Sequence, residues 1–474
     1  GSILTIPPQD WDALYARFDE VADESSFHRE SIRKKLLPLV RVAQTLAQKY
    51  DVVVTNPPYM GASNMNSDLS EYVKKYYSDS KSDLFAVFIE VCSRMAKQNG
   101  YQAMITQHAW MFLSSFEKLR EKMMLTETVS MAHLGARAFE EIGGEVVQTT
   151  AFVRYINHMD GYNGTYCRLI EPTTQQGKEE MFLAGQNRYN ANQDDFAKIP
   201  GSPVAYWASK AMIGDFESGK SLSSYAEPKQ GMATMDNNKY LRMWYEVNKN
   251  LCYFHAKSQE EAKKSGGKWF PYNKGGEYRK WYGNFNYLVN WENDGKALKL
   301  DAARIYGSYS KRIYNTQYFF LPSITWSKIS SGSFSVRCIP DGCLFDVAGC
   351  SIFVGREQYH YFAALLNSKV FGAILAIISP TLNYEVGHIK SLPIIIENYE
   401  KNAVSELSQE NIALSKNDWD SFETSWDFTR HPFIKAITKY PNMMDIGNIY
   451  LAECYDIWAG ECEERFEKLK ANEE

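Results

Sequence analysis

Asn56-Pro57-Pro58-Tyr59 is the stretch of this sequence whose residue types and spacing most clearly describe a chemistry. Before it, Asp51-Val52-Val53-Val54-Thr55 is short and β-branched, as a buried parallel strand would be. The two prolines stop the ladder because neither can donate a backbone hydrogen bond. Pro57 moves Asn56 out of the α region, and Pro58 restricts Pro57 in turn. A stiff platform is therefore expected at the carboxyl end of a strand, where open α/β sheets place their ligands. It offers an amide side chain at Asn56, a carbonyl without a ladder partner at Pro57 and an aromatic face at Tyr59. An exocyclic amine on a planar ring can donate to the first two while its ring stacks on the third. Two acceptors around one amine turn its lone pair toward an electrophile. The same residues also read as a plain proline turn after a strand.

The elements around the platform follow from periodicity. Glu30 to Tyr50 repeats Ile32, Leu36, Leu39, Val40, Ala43, Leu46 and Ala47 at helical spacing, with a kink or break expected at Pro38. Ala62 to Ser80 is polar and reads as a surface loop and helix, or as a segment lying over a ligand. A helix is predicted from Lys81 to about Lys97, with Ser82 or Asp83 as N-cap and Asn99-Gly100 as its stop. Strands are predicted at Tyr101 to Thr106 and Val129 to Gly135, with a helix at Ser114 to Met124 between them. Gly143-Gly144 marks a turn, and Glu145 to Ile156 reads as one half of an antiparallel edge hairpin. This alternation is that of a doubly wound sheet.

Past residue 200 the texture becomes aromatic and basic. Between Gly201 and Lys390 about 23 Lys and Arg face about 15 Asp and Glu, although the whole chain carries −5. A basic segment inside an acidic chain suits a reader of nucleic acid, or a merely solvated lysine-rich surface. Asn238, Lys239, Arg242, Lys274, Arg279 and Lys280 sit among tryptophans, tyrosines and glycines, and are the candidate DNA contacts. Each also reads as a surface residue.

Asn-Pro-Pro-Tyr after a strand resembles the signature of the amino-methyltransferases. Later strings sharpen the likeness: Leu365-Leu366-Asn367-Ser368-Lys369, Thr381-Leu382-Asn383-Tyr384-Glu385-Val386-Gly387-His388-Ile389 and Asn417-Asp418-Trp419-Asp420-Ser421-Phe422-Glu423. These are similar to PglX-type methyltransferases of BREX phage-defence systems and to related fused restriction–modification enzymes. The resemblance covers about Glu30 to Phe433. It implies adenine-N6 methylation of double-stranded DNA by S-adenosylmethionine, with the base flipped out of the duplex. Asn56, Pro57, Pro58 and Tyr59 would hold the base, Asp83 and Leu84 would neighbour the cofactor, and Phe139 would line the base pocket. Asp83 as a cap and Phe139 as a core residue are the structural alternatives. The resemblance calls for no metal, and allows other phage-defence proteins as partners. It also implies a Gly-rich turn after a first strand and an acidic residue ending a second. No such turn precedes Asn56, since Gly1 and Gly61 are the first two glycines. The chain is accordingly expected to be part of a longer protein, with an incomplete cofactor pocket and no activity by itself.

The expected fold is α/β: the C-terminal part of a Rossmann-like methyltransferase sheet over 1–160, a mixed α+β target-recognition domain over 161–400 and a helical tail over 401–474. Length permits two to three domains with real cores. The 8 cysteines form no Cys-x-x-Cys pair, and Cys338, Cys343 and Cys350 have no nearby histidine at finger spacing. Buried free thiols in a reducing cytoplasm are expected. The most apolar run, Phe371 to Ser379, is too short to span a bilayer and reads as a buried helix. Two other functions fit the residues less fully: methylation of a protein glutamine amide, and a non-catalytic DNA-binding or assembly module.

Overall fold

The computed structural model describes residues 10–22, 27–139, 147–330, 332–380, 383–396, 401–439, 444–445, 448–449 and 451–474. The chain divides into two compact units, Gly1–Ser209 and Lys210–Glu474.

The first unit is built on a six-stranded sheet of order β1-β2-β4-β3-β5-β6. Its strands are β1 (Tyr50–Thr55), β2 (Ala96–Gln107), β3 (Glu127–Gly135), β4 (Thr149–Tyr155), β5 (Gly164–Arg168) and β6 (Arg188–Ala191). β1 pairs parallel with β2, β4 runs antiparallel to both β2 and β3, and β3 pairs parallel with β5. The helices are α1 (Trp11–Ala22), α2 (Phe27–Ala47), α3 (Ser67–Tyr76), α4 (Leu84–Met95), α5 (Glu117–Met123) and α6 (Gln175–Leu183). The chain is thus α/β around a Rossmann-like sheet, as expected. β5 and β6 lie beyond residue 160 and extend that sheet.

One face of the sheet is covered. Phe85, Ala86 and Ile89 of α4 and Leu119 of α5 pack with Met104, Met131, Phe152 and Tyr166 of the strands, all buried. The other face is open. Val54, Ala103, Ile105, Ala151 and Val153 line a shallow apolar cavity of about 560 Å³ that reaches Asn56. β1 stands at the sheet edge, with Val52 54% and Val54 71% exposed.

Two local expectations change. α2 runs through Pro38 as one helix. Asn99-Gly100 does not stop α4, which already ends at Met95. It forms instead a bulge in β2: Tyr50 pairs with Ala96 and Val52 with Tyr101, so extra residues are absorbed between them. Asn99 takes a positive φ of 64°, and a Cβ on Gly100 would lie 2.7 Å from the Asp51 carbonyl oxygen, so only glycine fits. The expected Gly143-Gly144 turn and the start of the hairpin half at Glu145 lie outside the described residues.

The second unit carries two four-stranded sheets and several helices. Its strands are β7 (Lys220–Ser221), β8 (Glu227–Lys229), β9 (Leu241–Met243), β10 (Trp269–Asn273), β11 (Tyr287–Asn290), β12 (Ser323–Ser327), β13 (Val336–Ile339), β14 (Leu344–Phe345), β15 (Gly349–Phe353) and β16 (Pro393–Ile394). The two sheets have orders β14-β10-β11-β9 and β13-β12-β15-β8, while β7 pairs with β16. Phe270, Trp291, Phe319 and Phe320 fill one core, and the Phe371–Ser379 run lies in the helix Lys369–Ile378 with Phe371, Leu375 and Ile377 buried. All eight cysteines are free, and Cys338, Cys343 and Cys350 are buried. Among the described residues no single helix is long and apolar enough to cross a membrane.

Gly231 is where the second unit has least room. A Cβ there would sit 1.8 Å from the Phe345 carbonyl oxygen, where the chain bridges to β14. Gly231→Ala should therefore cost about 1–3 kcal/mol of stability, as overpacking does, measured as a lower denaturant midpoint for the unit's unfolding.

Candidate active site at the carboxyl end of β1

β1 ends at the platform as the sequence predicts, but it is an exposed edge strand and not the buried strand expected, because among the described residues it has a partner on one side only. The ladder between β1 and β2 ends at Thr55↔Met104, and residues 56–60 leave the sheet. Asn56 is exposed, Pro57 buried, Pro58 exposed and Tyr59 half-buried. Among the described residues neither the Asn56 side chain nor the Pro57 carbonyl has a hydrogen-bond partner. Two acceptors are therefore unspent at the strand end. Tyr59 meets Phe85 edge-on, with ring centroids 6.0 Å apart. Burial pushes its phenol up, and its hydroxyl is buried without a partner. Its ring packs edge-on against the core through Phe85 while the residue stays partly exposed.

Asp83 holds the far end of the platform. Its Oδ1 accepts from the Met60 amide at 3.0 Å and from the Phe85 amide at 3.3 Å. The Leu84 amide donates to the Met60 carbonyl at 3.0 Å, and Gly61 bridges to Asp83. Asp83 is the N-cap of α4, as one of the sequence readings had it. It also latches the proline turn to that helix, a role that spacing alone did not reveal.

At the carboxyl ends of β2 and β3 lies a chain of rings that sequence reasoning did not single out. His108 Nδ1 lies 2.8 Å from His133 Nε2, and His133 Nδ1 lies 3.0 Å from the Tyr206 hydroxyl. Tyr206 stacks on Tyr166 at 5.0 Å. Burial lowers His108 to about 4 and His133 to about 3, the second helped by His108, Arg168 and Lys178. Histidines scattered at 108 and 133 gave no pattern by themselves; only strand pairing brings them together. The segment joining β3 to β4 is gripped at both stems. The His108 amide donates to the Gln148 carbonyl at 2.9 Å, and Lys178 Nζ donates to the Leu134 and Leu169 carbonyls at 2.6 and 2.7 Å. Phe139, half-buried, lies in this segment.

The six residues of the basic half are placed in the second unit. Lys239 pairs with Asp301 at 2.5 Å, Lys274 with Asp346 at 3.4 Å, Arg279 with Asp418 at 3.8 Å and Lys280 with Glu473 at 2.7 Å. Arg279 also lies over Trp419. Arg242 holds the Asn238 and Leu241 carbonyls and, among the described residues, has no acid in contact. Asn238 is exposed. Four of the five cations thus already have a counter-charge. Among the described residues no cluster of three or more His, Cys, Asp or Glu could hold a metal ion.

Residues 9–135 match the family model of the Eco57I restriction-modification methylase. The chain is 43% identical to the adenine-specific methyltransferase PglX of Lacticaseibacillus casei (strain Zhang), over 93% of this chain and 36% of the relative. It is 39% identical to the adenine-specific methyltransferase BrxX of Escherichia coli O9:H4 (strain HS), over 92% of this chain and 35% of the relative. Over nearly its whole length the chain is similar to PglX-type methyltransferases. It spans about a third of the length of these two relatives. Its fold is similar to that of the Type IIL restriction-modification enzyme MmeI in complex with DNA, with a TM-score of 0.55 at 11% identity, covering 91% of this chain and 55% of that one. The matched family segment contains the whole platform and its latch.

Asp83→Ala removes a helix cap and the partner of the Met60 amide. It should lower the stability of the first unit by about 1–2 kcal/mol, read from its denaturant midpoint. The two histidines set an acid limit. Unfolded, each binds a proton near pH 6.5; folded, neither does until about pH 4 or below. Their contribution is complete above about pH 6.5 and is lost as pH falls. Between pH 6.5 and 5, His133→Gln should reduce the fall in unfolding free energy by up to about 1.4 kcal/mol per pH unit.

Proposed function

We propose that this chain carries the base-holding and DNA-reading parts of a site-specific adenine-N6 DNA methyltransferase of a phage-defence system. The reading is carried by the unspent acceptors of Asn56 and Pro57 beside the ring of Tyr59. A flipped adenine would stack on Tyr59 and donate its two amine hydrogens to Asn56 Oδ1 and the Pro57 carbonyl oxygen. Those bonds pull the nitrogen lone pair out of conjugation with the ring and aim it away from the acceptors. S-adenosylmethionine, when bound, supplies the electrophilic methyl carbon. Catalysis here is positioning and polarisation of the amine, with no covalent enzyme intermediate.

The fit to that cofactor is partial. Asp83 spends Oδ1 on two backbone amides, and Leu84 lies beside it with its amide on Met60. Their place beside the cofactor rests on the resemblance. No glycine-rich turn precedes the platform in this sequence. The exposed edge of β1, with Val52 and Val54, leaves backbone and apolar surface for further strands of a longer polypeptide. Phe139 is assigned to the base pocket, and Arg242 and its basic neighbours to double-stranded DNA. The eight free thiols suit a cytoplasmic protein, with other defence proteins as partners of the whole enzyme.

In the full-length parent, Asn56→Ala and Tyr59→Ala should each reduce transfer of labelled methyl to duplex DNA by roughly 100-fold or more, with folding unchanged. Activity retained in both would remove the platform from the chemistry. For the DNA-reading unit, Arg242→Ala should weaken duplex binding in gel-shift titrations and reduce the salt slope by about 1. Binding without salt dependence would contradict the phosphate role.

A further inference from the structure

The His108–His133–Tyr206 chain has a direction, and its outer end is His108. Among the described residues the Tyr206 hydroxyl touches no acceptor except His133 Nδ1. Tyr206 is 3% exposed, and a buried hydroxyl proton without an acceptor is costly, so Tyr206 donates to His133 Nδ1. His133 must then carry its own proton on Nε2 and donate it to His108 Nδ1. His108 is left with its proton on Nε2. Burial keeps both rings neutral, and the nearest cations to His133, Arg168 and Lys178, oppose its protonation further. Among the described residues no partner takes the His108 Nε2 proton, and His108 is partly exposed. Phe112 meets its ring edge-on at 5.6 Å, and its own amide is tied to Gln148. β2 is the parallel neighbour of β1, and His108 follows its last residue, so His108 and residues 56–59 leave the sheet at the same end of adjacent strands.

We propose that His108 is a nucleotide-contacting residue. Its Nε2 proton is donated to an acceptor on the nucleotide held at Asn56–Tyr59, either a purine ring nitrogen or an adjoining phosphate oxygen. His133 and Tyr206 are positioning residues that lock the tautomer of His108. A neutral donor of fixed orientation discriminates by hydrogen bonding without adding a charge to be desolvated. This inference rests on the reading of the platform given above.

The test uses the full-length parent and duplex DNA containing its site. His108→Ala should raise KM for DNA by roughly 10-fold while leaving KM for S-adenosylmethionine unchanged. His108→Gln retains an N–H donor and should stay within about 3-fold of the natural protein. Tyr206→Phe should give an intermediate loss, because His133 can then turn its proton either way. Substrates with 1-deaza-, 3-deaza- or 7-deazaadenine at the target, or with methylphosphonate at the flanking linkages, identify the acceptor. For the substrate lacking it, natural protein and His108→Ala should become equal. The inference is overturned if His108→Ala leaves both KM values and kcat unchanged while Asn56→Ala abolishes transfer. It is also overturned if no substituted substrate makes the two proteins equal. If Asn56→Ala is silent too, it is the platform reading that fails.

Discussion

One carboxylate holds the site together. Asp83 accepts from the Met60 and Phe85 amides at once, so the exit of the proline turn and the first turn of α4 are a single hydrogen-bonded piece. Without it, among the described residues the turn would keep only backbone bonds to this region, Leu84 N–H to the Met60 carbonyl and Ala62 N–H to the Ser82 carbonyl. With it, the stiffness of Pro57-Pro58 is anchored at both ends: by the β1 ladder up to Thr55 and by α4 beyond Met60. The core beneath carries the anchor down, since Phe85 is fully buried against Phe116 and supports the edge of Tyr59. Presenting two free acceptors costs hydrogen bonds, and the rigid frame offsets that cost before substrate arrives.

The first unit is asymmetric in a way that matters for function. α4 and α5 cover one face of the sheet, while the opposite face and the β1 edge expose valines, alanines and an isoleucine. An open edge of this kind calls for pairing or cover in a stable protein. The second unit shows the complementary pattern in charge. Its basic residues are numerous, yet Lys239, Lys274, Arg279 and Lys280 are each matched by an acid of the same unit. Counting positive residues therefore overstates the field available to DNA. The more exposed pairs, Lys239–Asp301 and Arg279–Asp418, contribute little to stability and can exchange a carboxylate for a phosphate at small cost, whereas the Asp346 partner of Lys274 is buried.

Much of this was legible in the sequence because it is local. The β-branched run into Asn-Pro-Pro-Tyr fixes a strand and its end, and Asp83 before Leu84-Phe85 reads as a cap. The later strings pointed to the PglX type, which the relatives bear out. What escaped is non-local. Asn99-Gly100 looks like a helix stop but absorbs a bulge, because strand pairing decides where a positive φ is used. Asp83 as a latch depends on Met60, 23 residues away, returning to it. The His108–His133–Tyr206 chain spans three segments with no shared spacing, and only the order of β2, β4 and β3 brings them together. Pairing of the basic residues with acids as distant as Glu473 could not be read from composition.

The most direct test of the central claim is made on chromosomal DNA. Single-molecule sequencing of DNA from cells carrying the full-length gene, its Asn56→Ala form, or no gene reports both the modified atom and the sequence around it. The account predicts N6-methyladenine at one recurring motif with the natural gene, and none at that motif with the other two. Methylation of cytosine, or adenine methylation that persists with Asn56→Ala, would contradict it.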